Sequence, residues 1–217
     1  MNKINKEFLV RSVIYMIGIV ILIFGVSVFI SLDLGGDAFT VMVMGISNQT
    51  GLSIGISNMA LNLISIIAIY FIDRKSIRAG TIMIFLFLGM GIDIGLGLIG
   101  GFFVGMPMPV AIVCIILNCF VVAFSVAILI SANIGASAYD LYGIIVAERT
   151  KFELKLARPI CDLVLIVVGV VLGGKLGIGT FIIMILIGPL LQFCLKYTGK
   201  YVEIAVIKFA KQEVLES

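Results

Sequence analysis

Three carboxylates lie inside apolar stretches of this chain, where a charged group is costly. Asp93 and Asp162 lie within long apolar runs, and Asp140 lies in the shorter run Ala138–Ala147. A carboxylate at membrane depth costs about 2.5–3.5 kcal/mol on insertion scales, so a functional role is the first hypothesis for each. A buried carboxyl group can also bind and release a proton near neutral pH. Asp140 combines depth with a neighbouring glycine-bearing motif, and we interpret it as the carrier of a proton or cation.

Asp162 and Asp93 also have structural interpretations. Arg158 precedes Asp162 by four residues, which places both side chains on one face of a helix, where they would neutralise each other. We prefer that interpretation for Asp162, and Asp93 lies near one end of its run, where it would contact lipid headgroups. We nevertheless keep both residues, together with Arg158, as candidate residues of a binding cavity.

A polar, glycine-bearing stretch organises the chain because it occurs twice. Ile30–Thr40 reads ISLDLGGDAFT, and one hundred residues later Ile130–Asp140 reads ISANIGASAYD. The correspondence continues over most of the chain, which indicates two copies of one unit, at residues 1–100 and 101–195. The same register pairs polar positions of the two copies, namely Asn62 with Asp162, Asn58 with Arg158, and Asp93 with Gln192. These are candidate binding residues, although amides between helices also serve as packing contacts.

Each copy has a break after its first long apolar run. The small and polar residues at the breaks are Gly35, Gly36 and Asp37 in the first copy and Gly135 and Ser137 in the second. A short apolar run follows each break and predicts a half-length helix, over residues 38–46 and 138–147. In inverted-repeat transporters the N–H groups at the start of such helices hold anionic groups near the midplane. The alternative is a helix that lies flat in the membrane interface and only caps the bundle.

The composition is that of an integral membrane protein. Of the 217 residues, 62% are hydrophobic and 12% are charged, and the mean hydropathy is +1.28. A soluble domain needs more polar surface than this. The cations stand in short clusters between apolar runs, which excludes a nucleic-acid-binding surface. There is no histidine, nucleophile–base pair, phosphate loop or metal-ligand spacing, so we predict no enzymatic activity, no metal and no cofactor.

Six apolar runs are long enough to span a bilayer as helices, which takes about 20 residues. They are Phe8–Leu32, Ile54–Ile72, Ala79–Ile99, Val110–Ser131, Leu156–Leu172 and Ile178–Leu195. The tail, residues 196–217, alternates charged and apolar residues at helical spacing and predicts a cytoplasmic amphipathic helix. The predicted fold class is therefore an all-α polytopic membrane protein with six transmembrane helices.

The distribution of charge predicts the orientation. With both termini in the cytoplasm, Lys175 is the one cation among 15 that faces outward, as the positive-inside rule requires. If the short helices crossed fully, Arg74 and Lys75 would lie outside, so each short helix must enter and leave on one side. Three crossings per copy is an odd number, and the second copy is therefore inverted relative to the first.

Two motifs resemble a known family. Gly135–Asp140, GASAYD, is similar to the Gly-x-Gly-Pro-Trp-Asp element of the YczE-like branch of the YitT/YczE bacterial membrane proteins, and Thr50–Gly55, TGLSIG, is similar to the Thr-Gly-Leu-Ser-x-Gly that follows it in the first half. The resemblance covers the chain apart from the tail. The first copy departs from it, with Asp37 displaced and Thr40 at the position of the family's Asp, and the chain has no tryptophan. The resemblance implies a protein of the bacterial cytoplasmic membrane, with transport or export of small compounds suggested for some relatives, and it identifies no substrate.

These patterns predict a small secondary transporter, an exporter of a small organic molecule, which works by alternating access between the two copies. Its partners would be the bilayer, the transported molecule and a proton or cation, and the sequence leaves a homodimer open. The alternative is a membrane scaffold, which binds a partner protein or lipid through the tail and moves nothing. A channel is a weaker third hypothesis.

Overall fold

The structure, a computed structural model, describes residues 3–150 and 154–212, and the side chains of residues 6–147, 149–150 and 159–209. All regular structure in these residues is helical, so the predicted all-α class is confirmed for them. The helices are α1 (Lys3–Ser31), α2 (Ala38–Thr50), α3 (Ile54–Asp73), α4 (Ala79–Ile99), α5 (Met108–Ala132), α6 (Ala138–Thr150), α7 (Leu154–Val171) and α8 (Ile178–Gln212), with short 3₁₀ turns at Arg74–Ser76 and Gly100–Phe103.

Five helices in the described part of the chain, α1, α3, α4, α5 and α8, are long and apolar enough to cross a membrane. The sixth predicted span, Leu156–Leu172, falls on α7, whose fully described apolar stretch is the shorter Pro159–Val171. Large apolar side chains cover the outer surface of the bundle, among them Phe71, which is 82% exposed. Such a surface is stable in lipid and not in water, so the chain is a membrane protein.

The two short helices, α2 and α6, are longer than predicted. They end at Thr50 and Thr150, where the sequence predicted ends at residues 46 and 147. The polar residues from Ser47 onward continue α2 until Gly51, which has φ +71° and donates its N–H to the carbonyl of Ser47. This is the common left-handed glycine end of a helix. Thirteen residues span about 20 Å, which is still short of a bilayer core of about 30 Å.

The last span and the predicted tail helix form one continuous helix, which corrects the boundary predicted at residue 195. α8 runs from Ile178 to Gln212 through Pro189 without ending there, because a proline is tolerated in a membrane helix where other groups bond the freed carbonyl. Past residue 195, Val202 is buried and Glu203 lies 3.8 Å from Arg11, so this part of α8 lies beside the start of α1. Residues 213–217 of the predicted tail lie outside the described residues.

Two helices, α1 and α5, cross at the centre of the bundle in antiparallel directions. Gly18 of α1 lies against Leu129 of α5 and Gly25 lies against Val122, so the contact moves back along α5 as α1 advances. The buried amide of Asn118 donates a 2.8 Å hydrogen bond to the carbonyl of Gly25 inside this contact. α4 packs on α1, and α8 packs on α5.

The short helices occupy the space beside this central pair. α2 and α6 each pack against both α3 and α7. Backbones approach closely where α2 meets α7, since a Cβ on Gly169 would lie 2.8 Å from the backbone nitrogen of Met42. The first turns of α2 and α6 therefore meet between α3 and α7, and the candidate site lies there.

Candidate functional site

Each break lies against the first turn of the last helix of the other copy. We call residues 32–37 the first break and residues 132–137 the second break. The carbonyl of Leu34 accepts a 2.8 Å hydrogen bond from the N–H of Gly179, and the carbonyl of Ile134 accepts a 3.0 Å bond from the N–H of Gly80. Leu34 corresponds to Ile134 in the repeat, and Gly80 to Gly179 with a shift of one residue. The two copies thus exchange the same contact.

Glycine is required at both of these contacts. Gly35 has φ +97° and Gly135 has φ +156°, values that favour a residue without a side chain. A Cβ would also lie 2.8 Å from the backbone nitrogen of Gly177 at the first position and 2.9 Å from that of Gly80 at the second. At both breaks, therefore, the backbone conformation and the close approach of a second backbone favour a residue without a side chain.

A polar contact at the surface accompanies each exchanged hydrogen bond. Asp33 and Asn133 are equivalent residues with φ 55°, a conformation that Asp and Asn adopt more readily than most residues. Asp33 forms an ion pair with Lys175. Arg78 donates to the carbonyl of Asn133 at 3.0 Å and to its side-chain oxygen at 3.3 Å. We call the set around Asp33 and Lys175 the first closure and the set around Asn133 and Arg78 the second closure.

The two closures differ at one buried threonine. Thr81, in the second closure, donates a 2.7 Å hydrogen bond to the carbonyl of Ala136. Its equivalent, Thr180, is fully buried beside Gly35, and its hydroxyl has no hydrogen-bond partner among the described residues. The second closure is therefore held by more hydrogen bonds than the first.

At the starts of the short helices, a carboxylate and a hydroxyl change places between the copies. Asp37 and Thr40 of the first copy correspond to Ser137 and Asp140 of the second. Asp37 precedes α2 and accepts a 2.7 Å bond from the N–H of Thr40. Ser137 precedes α6, accepts a 3.1 Å bond from the N–H of Asp140 and donates a 2.7 Å bond to the Asp140 carboxylate. Both arrangements are helix caps. The sequence predicted that N–H groups at the starts of these helices could bind an anion. Those of Thr40 and Asp140 are instead bonded within the protein.

Equivalent aromatic residues of the two copies meet at the starts of α2 and α6. The rings of Phe39 and Tyr139 have centroids 5.6 Å apart. The Tyr139 hydroxyl donates a 2.7 Å hydrogen bond to Asp162 on α7. In the first copy the ring has no hydroxyl, and Asn62 instead donates to the side-chain oxygen of Asn58 at 2.9 Å. We call Phe39, Tyr139, Asp162, Asn58 and Asn62 the central site.

α3 contributes a polar stripe to this region. Ser57, Asn58, Asn62 and Ser65 are all buried. Asn58, Asn62 and Ser65 follow one another at four- and three-residue spacing on one helix face, and Ser57 directly precedes Asn58. Ile54 and Leu61, beside them, pack against Phe39, Val43 and Tyr139. The stripe therefore faces the junction of the two short helices, and the Ser57 hydroxyl there has no hydrogen-bond partner among the described residues.

Two predicted residues, Asp93 and Gln192, do not join the central site in the described structure. Asp93 accepts bonds from the N–H of Gly55 at 2.7 Å and from the Ser53 hydroxyl at 2.5 Å, so it caps the start of α3. Gln192 is exposed on α8. The side chain of Arg158 lies outside the described side chains. Asp140 lies one residue from Tyr139, and the structure gives it a place in the cap of α6.

Sequence reasoning missed the most informative residues, which are Phe39, Tyr139, Asp33 and Thr180. Phe39 and Tyr139, and Asp33 and Asn133, are repeat-equivalent positions at which the two copies differ, and a comparison of the copies residue by residue would have singled them out. Thr180 and Thr81 are both threonine, so only their hydrogen bonding in the structure distinguishes them.

Comparison with known proteins places the chain among uncharacterised membrane proteins. Residues 9–196 match the sequence profile of a family of unknown function, DUF6198. The chain is 26% identical over 179 residues to the uncharacterised protein YyaS of Bacillus subtilis, covering 82% of this chain and 89% of YyaS. It is 23% identical over 211 residues to the uncharacterised membrane protein YczE of the same organism, covering 94% of each. No solved structure matches the chain. The predicted likeness to the YczE-like proteins is confirmed.

Proposed function

Because the chain belongs to the family of unknown function DUF6198, we propose its function from its own geometry: it is a small secondary transporter that exports a small organic molecule by alternating access between two inverted copies. The observation that carries the proposal is the junction of the two short helices, where Phe39 meets Tyr139 and Tyr139 bonds Asp162. The proposal includes cytoplasmic termini and a bacterial cytoplasmic membrane.

The antiparallel crossing of α1 and α5 supports the inverted arrangement. These helices are equivalent in the two copies. Along their contact, residue numbers rise in α1 as they fall in α5, and the pairing is symmetric about a point near Phe24 and Phe124, which are equivalent residues. Equivalent helices that cross antiparallel are related by an axis perpendicular to both. If both helices span the bilayer, this axis lies in the membrane plane, as in inverted-repeat transporters.

The contact between Phe39 and Tyr139 supports re-entrant short helices over interfacial ones. Equivalent residues touch each other only close to the axis that relates the copies, so the starts of α2 and α6 lie near the midplane. α1 ends at Ser31, about 11 Å beyond Phe24 at 1.5 Å per residue, which is within a half-core of about 15 Å. The first break then turns the chain back toward the midplane, and α2 leads it out again.

A proton is the coupling ion that this site suits best. Asp162 is partly buried, and its hydrogen bond from Tyr139 comes from the short helix of its own copy. A change in its protonation would change this bond and with it the contact between α6 and α7. We therefore assign the coupling role to Asp162 with Tyr139, and to Asp140 a supporting role in the α6 cap.

Alternating access requires two closures on opposite faces that open in turn. The first and second closures meet this requirement, since each joins the break of one copy to the last helix of the other. Both are formed in this structure, which corresponds to an occluded state. Opening the first closure would expose the central site to the outside, and opening the second would expose it to the cytoplasm.

The test is cysteine accessibility, which needs no known substrate. Cys114, Cys119, Cys161 and Cys194, which are free thiols, are replaced by alanine or serine, and Asn62→Cys is introduced. Oriented vesicles are treated with a membrane-impermeant maleimide from either side. A transporter predicts labelling of position 62 from both sides, whereas labelling from neither side overturns the proposal.

A matched control is Ile92→Cys on α4. Ile92 is fully buried in the cluster between α1 and α4, away from the junction of the short helices. It should resist the reagent from both faces. Labelling of both positions would mean that the protein opens nonspecifically, and alternating access would then lose its support.

The scaffold alternative has one observation in its favour. Tyr201 and Phe209, on the part of α8 beyond the span, are 70% and 63% exposed, and exposed aromatic side chains are typical of partner surfaces. The discriminating variant is Tyr201→Ser, compared with Asp162→Asn. A scaffold should lose its cellular role with the first variant and keep it with the second, and a transporter should do the reverse.

A further inference from the structure

A cavity of about 200 Å³ opens beside the first break. It is lined by residues of α1, α2 and the start of α3 from the first copy, and by Lys175 from the loop before α8 of the second. Its charged residues are Asp33 and Lys175, which pair with each other across the boundary between the copies. The cavity thus combines one anion and one cation at its mouth.

A ligand can separate Asp33 from Lys175 at little cost in free energy. Their side chains are 67% and 53% exposed. An ion pair this exposed contributes little net free energy, because water competes for both charges. A ligand that carries both a carboxylate and an ammonium group can replace each partner with its own group of the same sign.

The polar wall of the cavity favours a ligand with N–H donors. The Ser47 hydroxyl donates to the carbonyl of Leu52 at 2.7 Å, and the Asn48 amide donates to the carbonyl of Gly173 at 2.6 Å. The Ser47 oxygen and the side-chain oxygen of Asn48 stay available as acceptors to a ligand, and the Asn48 amide keeps one further N–H donor. Asp33 adds a third acceptor group, and these groups together suit an ammonium ion.

The rest of the wall is apolar and is formed by Ile30, Met44 and Ile54. The volume of about 200 Å³ equals roughly seven water molecules at about 30 Å³ each, which suits an amino acid and not a peptide. We propose that this cavity binds a small zwitterion with an aliphatic side chain, of the chemistry of an α-amino acid, with its carboxylate on Lys175 and its ammonium group on Asp33.

At the second closure, the described residues do not repeat this charge pair. Asn133 stands at the position of Asp33 and accepts from Arg78, so the equivalent position offers an amide in place of the carboxylate that would hold an ammonium group. The first closure is also the one with the unpartnered Thr180 hydroxyl. A zwitterion that separates Asp33 from Lys175 would loosen the first closure specifically. This last step rests on the proposed transport function, whereas binding itself does not.

The test is saturation-transfer NMR on the full chain in lipid nanodiscs, with three probes that share one isobutyl group. Leucine is the zwitterion, 4-methylpentanoate carries only the carboxylate, and 3-methylbutylamine carries only the ammonium group. Empty nanodiscs correct for partition into lipid. We expect saturable leucine binding in the millimolar range and affinities at least about tenfold weaker for both analogues, one tenfold step for each lost charge contact.

Variants assign the binding to this cavity. Lys175→Gln and Asp33→Asn should each weaken leucine binding about tenfold, while Lys75→Gln, at an exposed cation outside both closures, should leave it unchanged. Absence of saturable leucine binding, equal binding of 4-methylpentanoate, or full binding by Lys175→Gln would each overturn the inference. Leucine counterflow in proteoliposomes separates the two proposals. Binding without counterflow would count against the transport of this zwitterion and leave the binding site standing.

Discussion

The hydroxyl of Tyr139 donates a 2.7 Å hydrogen bond to the carboxylate of Asp162, and the ring that carries it lies against Phe39, its counterpart in the other copy. This relationship joins a short helix, a long helix and the boundary between the copies at one point. A change in the charge of Asp162 would therefore be transmitted to the contact between the two halves.

Removing the hydroxyl of Tyr139 should impair the proposed coupling role of Asp162 without preventing folding. Tyr139→Phe makes the second copy resemble the first, since Phe39 stands at the equivalent position, and it removes one neutral-to-charged hydrogen bond worth about 1.5–3 kcal/mol. We expect the variant to insert and fold while export falls at least tenfold. The measurement is protection of a host strain against a panel of small amines, amino-acid analogues and organic acids.

Asp162→Asn should have the same effect, because the amide keeps the shape and the hydrogen bond but cannot change charge. Gln192→Ala is the control, since Gln192 is exposed on α8. Full protection by both Tyr139→Phe and Asp162→Asn, at expression equal to the wild type, would contradict the coupling role.

The sequence predicted the elements of the fold better than their ends. The span Ala79–Ile99 agrees with α4 at both ends, because apolar runs bounded by charged or glycine residues define membrane helices directly. The end of α2 at Thr50 was missed although Gly51 signals it. α8 was divided at residue 195 because its composition changes there, and a change of composition does not by itself end a helix.

The contacts of the site could not be predicted from the sequence, because they join residues that are far apart along the chain. Asp93 caps α3 through Ser53, which is 40 residues away, and no pattern in either segment predicts that they meet. Tyr139 and Asp162 belong to different helices whose crossing sets their distance. The repeat nevertheless pairs Gly35 with Gly135, and in the structure each of these glycines lies against the backbone of the other copy.

The glycines of the breaks should be irreplaceable even by alanine. Gly35→Ala and Gly135→Ala each place a Cβ less than 3 Å from a backbone nitrogen and force a strained backbone, at a cost of about 1–3 kcal/mol. We expect a lower melting temperature for both variants, measured by size-exclusion chromatography of heated, detergent-solubilised protein.

Gly199→Ala is the matched control for these variants. Gly199 lies inside α8, and a Cβ there would meet nothing within 4 Å. Alanine is favoured over glycine in a helix by about 0.5–1 kcal/mol, so this variant should melt no lower than the wild type. If all three variants melted together, the close approach at the breaks would not be what requires glycine.

Asp93 should prove structural and not functional. Asp93→Ala leaves the N–H of Gly55 and the hydroxyl of Ser53 without their acceptor, and loss of a cap costs about 1 kcal/mol. We expect reduced thermal stability of the detergent-solubilised protein together with unchanged protection in the host panel. A variant that melts normally but gives no protection would place Asp93 among the transport residues after all.

The difference between the two closures can be measured with one pair of substitutions. Thr81→Val removes the donor to the carbonyl of Ala136 and leaves a buried acceptor unpaired, which costs about 1–3 kcal/mol. Thr180→Val removes a hydroxyl that has no described partner, so its effect should be near zero or stabilising. Both side chains are at most 1% exposed, and valine has nearly the shape of threonine, so burial and volume are matched. The melting temperature should therefore fall for Thr81→Val and not for Thr180→Val. Equal falls would show that Thr180 forms a hydrogen bond as strong as that of Thr81, and that the first closure is not the weaker one.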